Sequence, residues 1–185
     1  MPFERGFKSW CERRSLEIRQ LLGLEHADPL PAHDLAQHLR IRVRTTADFP
    51  ALSDKARMAL AKDTSGWSAV TLEYERAKLI VLNDTHSLGR QSSDLMHELA
   101  HHILEHRPSE VAVSQEGLLV LHNYNRSQEE EADWCAASLL LPRPALVFVK
   151  KHLPELEEAA QHFRVSLAML RYRLHVTGVN YQFGR

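Results

Sequence analysis

Residues 94–106 read DLMHELAHHILEH and hold four of the chain's twelve histidines: His97, His101, His102 and His106. Leu95, Leu99 and Ile103 recur at helical spacing, with Met96, Ala100 and Leu104 beside them. That periodicity predicts an amphipathic helix over about 93–106, opened by Ser92, Ser93 and Asp94 and stopped by Pro108. Side chains four apart share a helical face, so two imidazole pairs are on offer: His97 with His101, and His102 with His106. Only the first pair has a carboxylate, Glu98, directly after its first histidine, giving His-Glu-x-x-His. Two imidazoles one turn apart can share one zinc ion, and the adjacent Glu98 is placed to act as general base on water. His102 and His106 lack that base and are read as surface or hydrogen-bonded histidines.

A zinc site that performs hydrolysis needs a third protein ligand and an open fourth position. SQEEEADWCAASLLLP, residues 127–142, supplies acidic candidates. It reads as a helix over about 127–141, opened by Ser127 and the acidic run Glu129 to Glu131 and ended by Pro142 and Pro144. Glu129 and Asp133 are four apart and project from one face. Glu129 is the favoured ligand, and Asp133 can accept the free ring N–H of a ligating histidine and fix its tautomer. Glu130 and Glu131 are expected to point elsewhere, as solvated charges suited to a helix N-terminus.

Outward from these two segments, residues 4–22 read as a polar, amphipathic helix, and Leu24 to Pro31 as a connection. PAHDLAQHLRI suggests a short helix feeding a strand over 41–45, where Ile41, Val43 and Thr45 alternate with Arg42 and Arg44. Pro50 to Asp63 is ambiguous. Trp67 to Glu73 and Lys78 to Leu82 are β-rich runs around a charged turn at Glu75 and Arg76, which predicts an antiparallel hairpin. The strand around 78–82 is a candidate edge for pairing with an extended substrate. Residues 145–185 are helical throughout, with Ser166 as an N-cap.

Length and composition set the frame. At 185 residues the chain suits one compact domain with a small appendix. A net charge of −1 gives no whole-protein attraction for nucleic acid. Two distant cysteines, Cys11 and Cys135, match no metal or redox spacing, which points to a reducing cytoplasm. No stretch approaches the roughly 20 apolar residues of a membrane span, so no membrane role is expected. The expected architecture is α+β: a sheet of about three strands packed on the His-Glu-x-x-His helix, zincin-like, with a helical C-terminal subdomain. The divisions expected are an N-terminal helix and linker over 1–30, a metal-bearing domain over 31–145 and the C-terminal subdomain over 146–185.

HELAHHIL followed by EEEADWCAASLLLP resembles the ImmA/IrrE family of bacterial metallopeptidases, over roughly residues 35–175. The resemblance implies zinc held by His97, His101 and Glu129, Glu98 as base and Asp133 behind a ligand. Mn²⁺ or another divalent ion is an alternative, because affinity alone does not decide occupancy. It further implies an endopeptidase whose substrate is a helix-turn-helix repressor, cleaved in a stress or mobile-element response. An added donor for the oxyanion is expected, with Tyr124, His122, Tyr172 and Arg171 as candidates. LPELEEAAQHFRVSLAMLRYRL (153–174) has a helix-turn-helix pattern, and similar tails occur in the family. The favoured reading of that tail is a packed cap rather than a DNA reader, because Glu155, Glu157 and Glu158 weaken any phosphate-binding field. The competing function is a non-catalytic regulatory or DNA- or partner-binding module, its metal closed off by a fourth ligand such as Cys11 or a third histidine.

Overall fold

The computed structural model describes residues 3–49, 67–74, 77–107, 110–113, 119–122 and 125–183. Helix α1 spans Phe7–Leu21 and buries Cys11, Ser15, Ile18 and Arg19, a stripe at helical spacing. Arg19 is wholly buried because its guanidinium has partners there. It donates to the Ser15 hydroxyl at 2.6 Å, to the Asp28 carbonyl at 2.9 Å and to the Leu140 carbonyl at 3.3 Å. Burial lowers its pKa to about 10, which still leaves it charged at neutral pH.

Helix α2, Ala32–His38, feeds β1, Arg42–Thr45, as the sequence suggests. A single turn of 3₁₀ helix follows at Thr46–Asp48. Strands β2, Ala69–Tyr74, and β3, Ala77–Leu82, form the expected antiparallel hairpin. Its turn at Glu75 and Arg76, like the ambiguous 50–63 stretch, lies outside the described residues. The sheet order is β1-β3-β2, with β1 parallel to β3. This corrects one expectation. The strand over 78–82 is central, with both edges already paired, so it has no backbone groups to offer a substrate. Among the described residues the edge strand of the hairpin is β2.

Helix α3 runs Leu88–Ile103, starting five residues before the expected position and ending three residues sooner. Ser87 is the cap, its Oγ accepting from the Arg90 N–H. Ser93 and Asp94 are used differently: the Ser93 hydroxyl donates back to the Gly89 carbonyl, and Asp94 lies 2.8 Å from His86 Nδ1. At the far end Glu105 takes a left-handed φ of 54°. The His106 N–H then reaches back to the His101 carbonyl at 3.0 Å, the six-to-one bond that closes a Schellman turn.

Strands β4, Glu110–Val113, and β5, Leu119–His122, make a second antiparallel hairpin. Helix α4, Arg126–Leu140, is capped by Asn125, whose Oδ1 accepts from the Ser127 N–H at 3.0 Å. After Asp133 it is buried nearly all round, from Trp134 to Leu140, and so forms the axis on which α1 and α3 pack. Helices α5 (Arg143–His152), α6 (Leu156–His162), α7 (Leu167–Val176) and α8 (Val179–Phe183) complete the chain. Ala159, Phe163, Val165, Leu170, Leu174 and Val179 share one continuous core with Leu95, Leu99 and Leu139. Arg173, fully buried, donates twice to the Leu141 carbonyl and once to Glu12, tying α7 to α1 and to the end of α4. These contacts support the reading of the tail as a packed cap. Among the described residues no single helix is long and apolar enough to cross a membrane.

Candidate metal centre

Leu95, Met96, Leu99 and Ala100 are fully buried, so the opposite flank of α3 faces outward with His97, Glu98 and His101. Helix α4 crosses that flank and brings up Glu129 and Asp133, because its buried stripe docks on α3. One donor atom from each of His97, His101 and Glu129 lies within 4.8 Å of the others. The ring nitrogens His97 Nε2 and His101 Nε2 are 3.0 Å apart. Glu129 Oε2 is 3.2 Å from the first and its Oε1 is 3.6 Å from the second. A tetrahedral ion with bonds of 2.0–2.1 Å has ligand-to-ligand edges of about 3.3 Å. Two imidazoles and one carboxylate at these separations therefore fit a single divalent cation of that size.

The electrostatics suit the same purpose. Burial works against a charged His97, but the hydrogen bond and charge of Asp133, with Glu98 and Glu129, outweigh it and raise the pKa. Asp133 Oδ1 sits 2.9 Å from His97 Nδ1, where the sequence places it. His101 is lowered to about 4, first by burial and then by the charge of His97, so it is neutral and ready to donate a lone pair. Glu98 is raised, mainly by burial, against the opposing hydrogen bond from Thr71. The Thr71 hydroxyl donates to Glu98 Oε2. Thr71 is on the edge strand β2, so the sheet holds the carboxylate through one side chain. A divalent cation next to Glu98 would draw its pKa back down, since a nearby positive charge favours the ionised form.

Other expectations fall elsewhere. Arg171 pairs with Glu157 at 3.8 Å, and the Tyr172 ring sits edge-on to Trp134 at 6.4 Å, both exposed on the surface of the C-terminal helices. Tyr124 lies outside the described residues, and of His122 only the backbone, in β5, is described. His102 Nδ1 lies 3.0 Å from Lys78 Nζ on β3, a hydrogen-bonded histidine as expected. Cys11 is buried in α1 with its thiol pushed up by a hydrogen bond to Cys135 and by burial, which makes it a poor closing ligand for a metal. Three contacts have no signal in the sequence: those of Thr71, His106 and Glu131. A threonine in a strand carries no signal of its own. A helix continuous to 106 would pair His106 with His102, and the acidic run places Glu131 in solvent. Instead His106 Nδ1 lies 3.0 Å from His101 Nδ1, and its Nε2 lies 3.2 Å from Glu131 Oε2.

Residues 36–175 match the family model described as the IrrE N-terminal-like domain, a peptidase family. The chain belongs to this family. The matched span takes in the sheet, α3 with its histidines, α4 with Glu129 and the helices up to α7. No curated protein matches the sequence. Membership places the chain in a peptidase family, and His97, His101 and Glu129 are its candidate site for a divalent metal.

Proposed function

We propose that the chain is a zinc-dependent endopeptidase of narrow specificity, held by His97, His101 and Glu129 around its metal and worked by Glu98. The observation that carries this reading is the convergence of three donors from two helices beside a half-buried carboxylate that is not one of them. Zinc, when bound, polarises a carbonyl and lowers the pKa of water toward neutrality. Glu98, with one oxygen held by Thr71, accepts a proton on the other and delivers it to the leaving amine. Its half-buried setting raises its pKa and so favours uptake of the proton in the base step. Asp133 fixes the His97 tautomer by accepting from Nδ1–H, so that Nε2 faces the metal. The edge strand β2 offers backbone N–H and C=O groups to an extended chain lying across the site.

The resemblance to the ImmA/IrrE peptidases supports a substrate class: a helix-turn-helix (XRE-type) repressor, cleaved to relieve repression in a stress or mobile-element response. The test is cleavage of the repressor encoded beside this chain by purified, zinc-loaded protein, followed by mass spectrometry. Glu98→Gln should retain the metal and lose roughly 10²- to 10⁴-fold in rate. A repressor left whole by the loaded wild-type protein, with any activator it needs, overturns the substrate. Undiminished cleavage by Glu98→Gln overturns the base.

A further inference from the structure

His101 uses one ring nitrogen on the metal side, where Nε2 faces His97 and Glu129. Its other nitrogen, Nδ1, points at His106 Nδ1 across 3.0 Å. His106 in turn points Nε2 at the Glu131 carboxylate across 3.2 Å. The His106 side chain is only 7% exposed, so water does not substitute freely for either contact.

The protons in this row are set by its two ends. A histidine that gives the Nε2 lone pair to a metal is neutral and carries its proton on Nδ1. His101 Nδ1–H is then a donor, and His106 Nδ1 must accept. A neutral His106 that accepts on Nδ1 carries its own proton on Nε2, which donates to the Glu131 carboxylate. Every other neutral assignment puts two protons or two lone pairs face to face. The helix end is shaped to this purpose. The left-handed Glu105 and the six-to-one bond from the His106 N–H turn residue 106 back over residue 101.

We propose that His106 and Glu131 form a positioning relay for the metal ligand His101, doing through an intervening imidazole what Asp133 does directly for His97. The proposal rests on the reading of His97, His101 and Glu129 as metal ligands. Glu129, Glu131 and Asp133 then all serve one centre from one helix: one as ligand, two as the anionic ends that orient the two ligating histidines. Partners of this kind typically change metal affinity or activity by roughly 10- to 100-fold when removed.

The test uses the full-length chain and zinc, with two readouts. Zinc affinity is measured by competition with a chromophoric chelator for wild type, His106→Leu, His106→Asn, Glu131→Ala, Glu130→Gln and His97→Ala. His106→Leu and Glu131→Ala should bind zinc roughly 10- to 100-fold more weakly. His106→Asn, which keeps an acceptor near the Nδ1 position, should recover part of that loss. Glu130→Gln, in a surface pair with Arg126, should match wild type. Far-UV circular dichroism checks that each variant is folded. The second readout is the histidine tautomers of the zinc-loaded wild type, from long-range ¹H–¹⁵N correlation spectra. Protons on His101 Nδ1 and His106 Nε2 are expected. His106 carrying its proton on Nδ1, or unchanged zinc affinity in folded His106→Leu, would overturn the relay. If His97→Ala also binds zinc like wild type, or the wild-type chain takes up no zinc, the metal centre itself is overturned.

Discussion

His97 is contested by a proton and a metal. Asp133 and Glu129 flank its two ring nitrogens and hold its pKa above the ordinary 6.5 in the metal-free chain. A raised folded pKa means that the protonated ring stabilises the fold fully below pH 6.5. That contribution is lost as pH rises through the raised value. Metal binding displaces the proton, so zinc affinity should climb with pH across that window. His101, lowered to about 4, has no proton to give up there. Titrated by NMR in the zinc-free chain, the His97 ring should be more than half protonated at pH 6.5 and the His101 ring neutral. A His101 ring protonated at that pH would contradict the assignment. Thr71 makes the second residue-scale prediction. Thr71→Val removes a hydrogen bond that favours ionised Glu98. The acidic limb of the kcat/KM profile should therefore move to higher pH, with zinc content unchanged. The candidate ligands are legible because helical spacing pairs His97 with His101, Glu98 singles out that pair over His102 and His106, and the same spacing sets Glu129 beside Asp133. The role of His106 was not, because it depends on where the helix stops, and Glu105 takes a left-handed turn without the glycine that would announce it.

At the scale of elements, α3 does two tasks with two faces. Leu95 and Leu99 seat it in the core while His97 and His101 look out toward α4. Leu99→Ala should cost about 3 kcal/mol by chemical denaturation, within the 2–5 kcal/mol range of such cavities. An effect below 1 kcal/mol would mean that the helix is not anchored there. The hairpin and both site helices were readable from alternation and helical periodicity. Their ends were less so. Ser92, Ser93 and Asp94 look like a helix start, yet Ser87 caps the helix, and Ser93 and Asp94 satisfy other groups. Placing β3 in the centre required knowing that β1 pairs with it in parallel, a contact across more than 30 residues that no local pattern encodes.

Across the whole molecule, the crossing of α3 and α4 is the step that composition and spacing do not supply. It is fixed by a core that runs from α1 through α4 to the C-terminal helices. The Glu12–Arg173 contact is one of its ties, joining the first helix to the seventh, with the Arg143 N–H also on Glu12 at 2.8 Å. Glu12→Ala leaves a buried guanidinium without its counter-ion and should destabilise the fold by about 3 kcal/mol. Thermal and urea unfolding should shift together, and loss of the C-terminal helices alone would show that the cap is a separate unit. The central claim is one divalent ion held by two imidazoles and one carboxylate. X-ray absorption at the zinc edge of the loaded full-length chain tests it most directly. Two imidazoles and oxygen donors at about 2.0–2.1 Å are predicted, and a sulfur at about 2.3 Å, or three or more imidazoles, would contradict it.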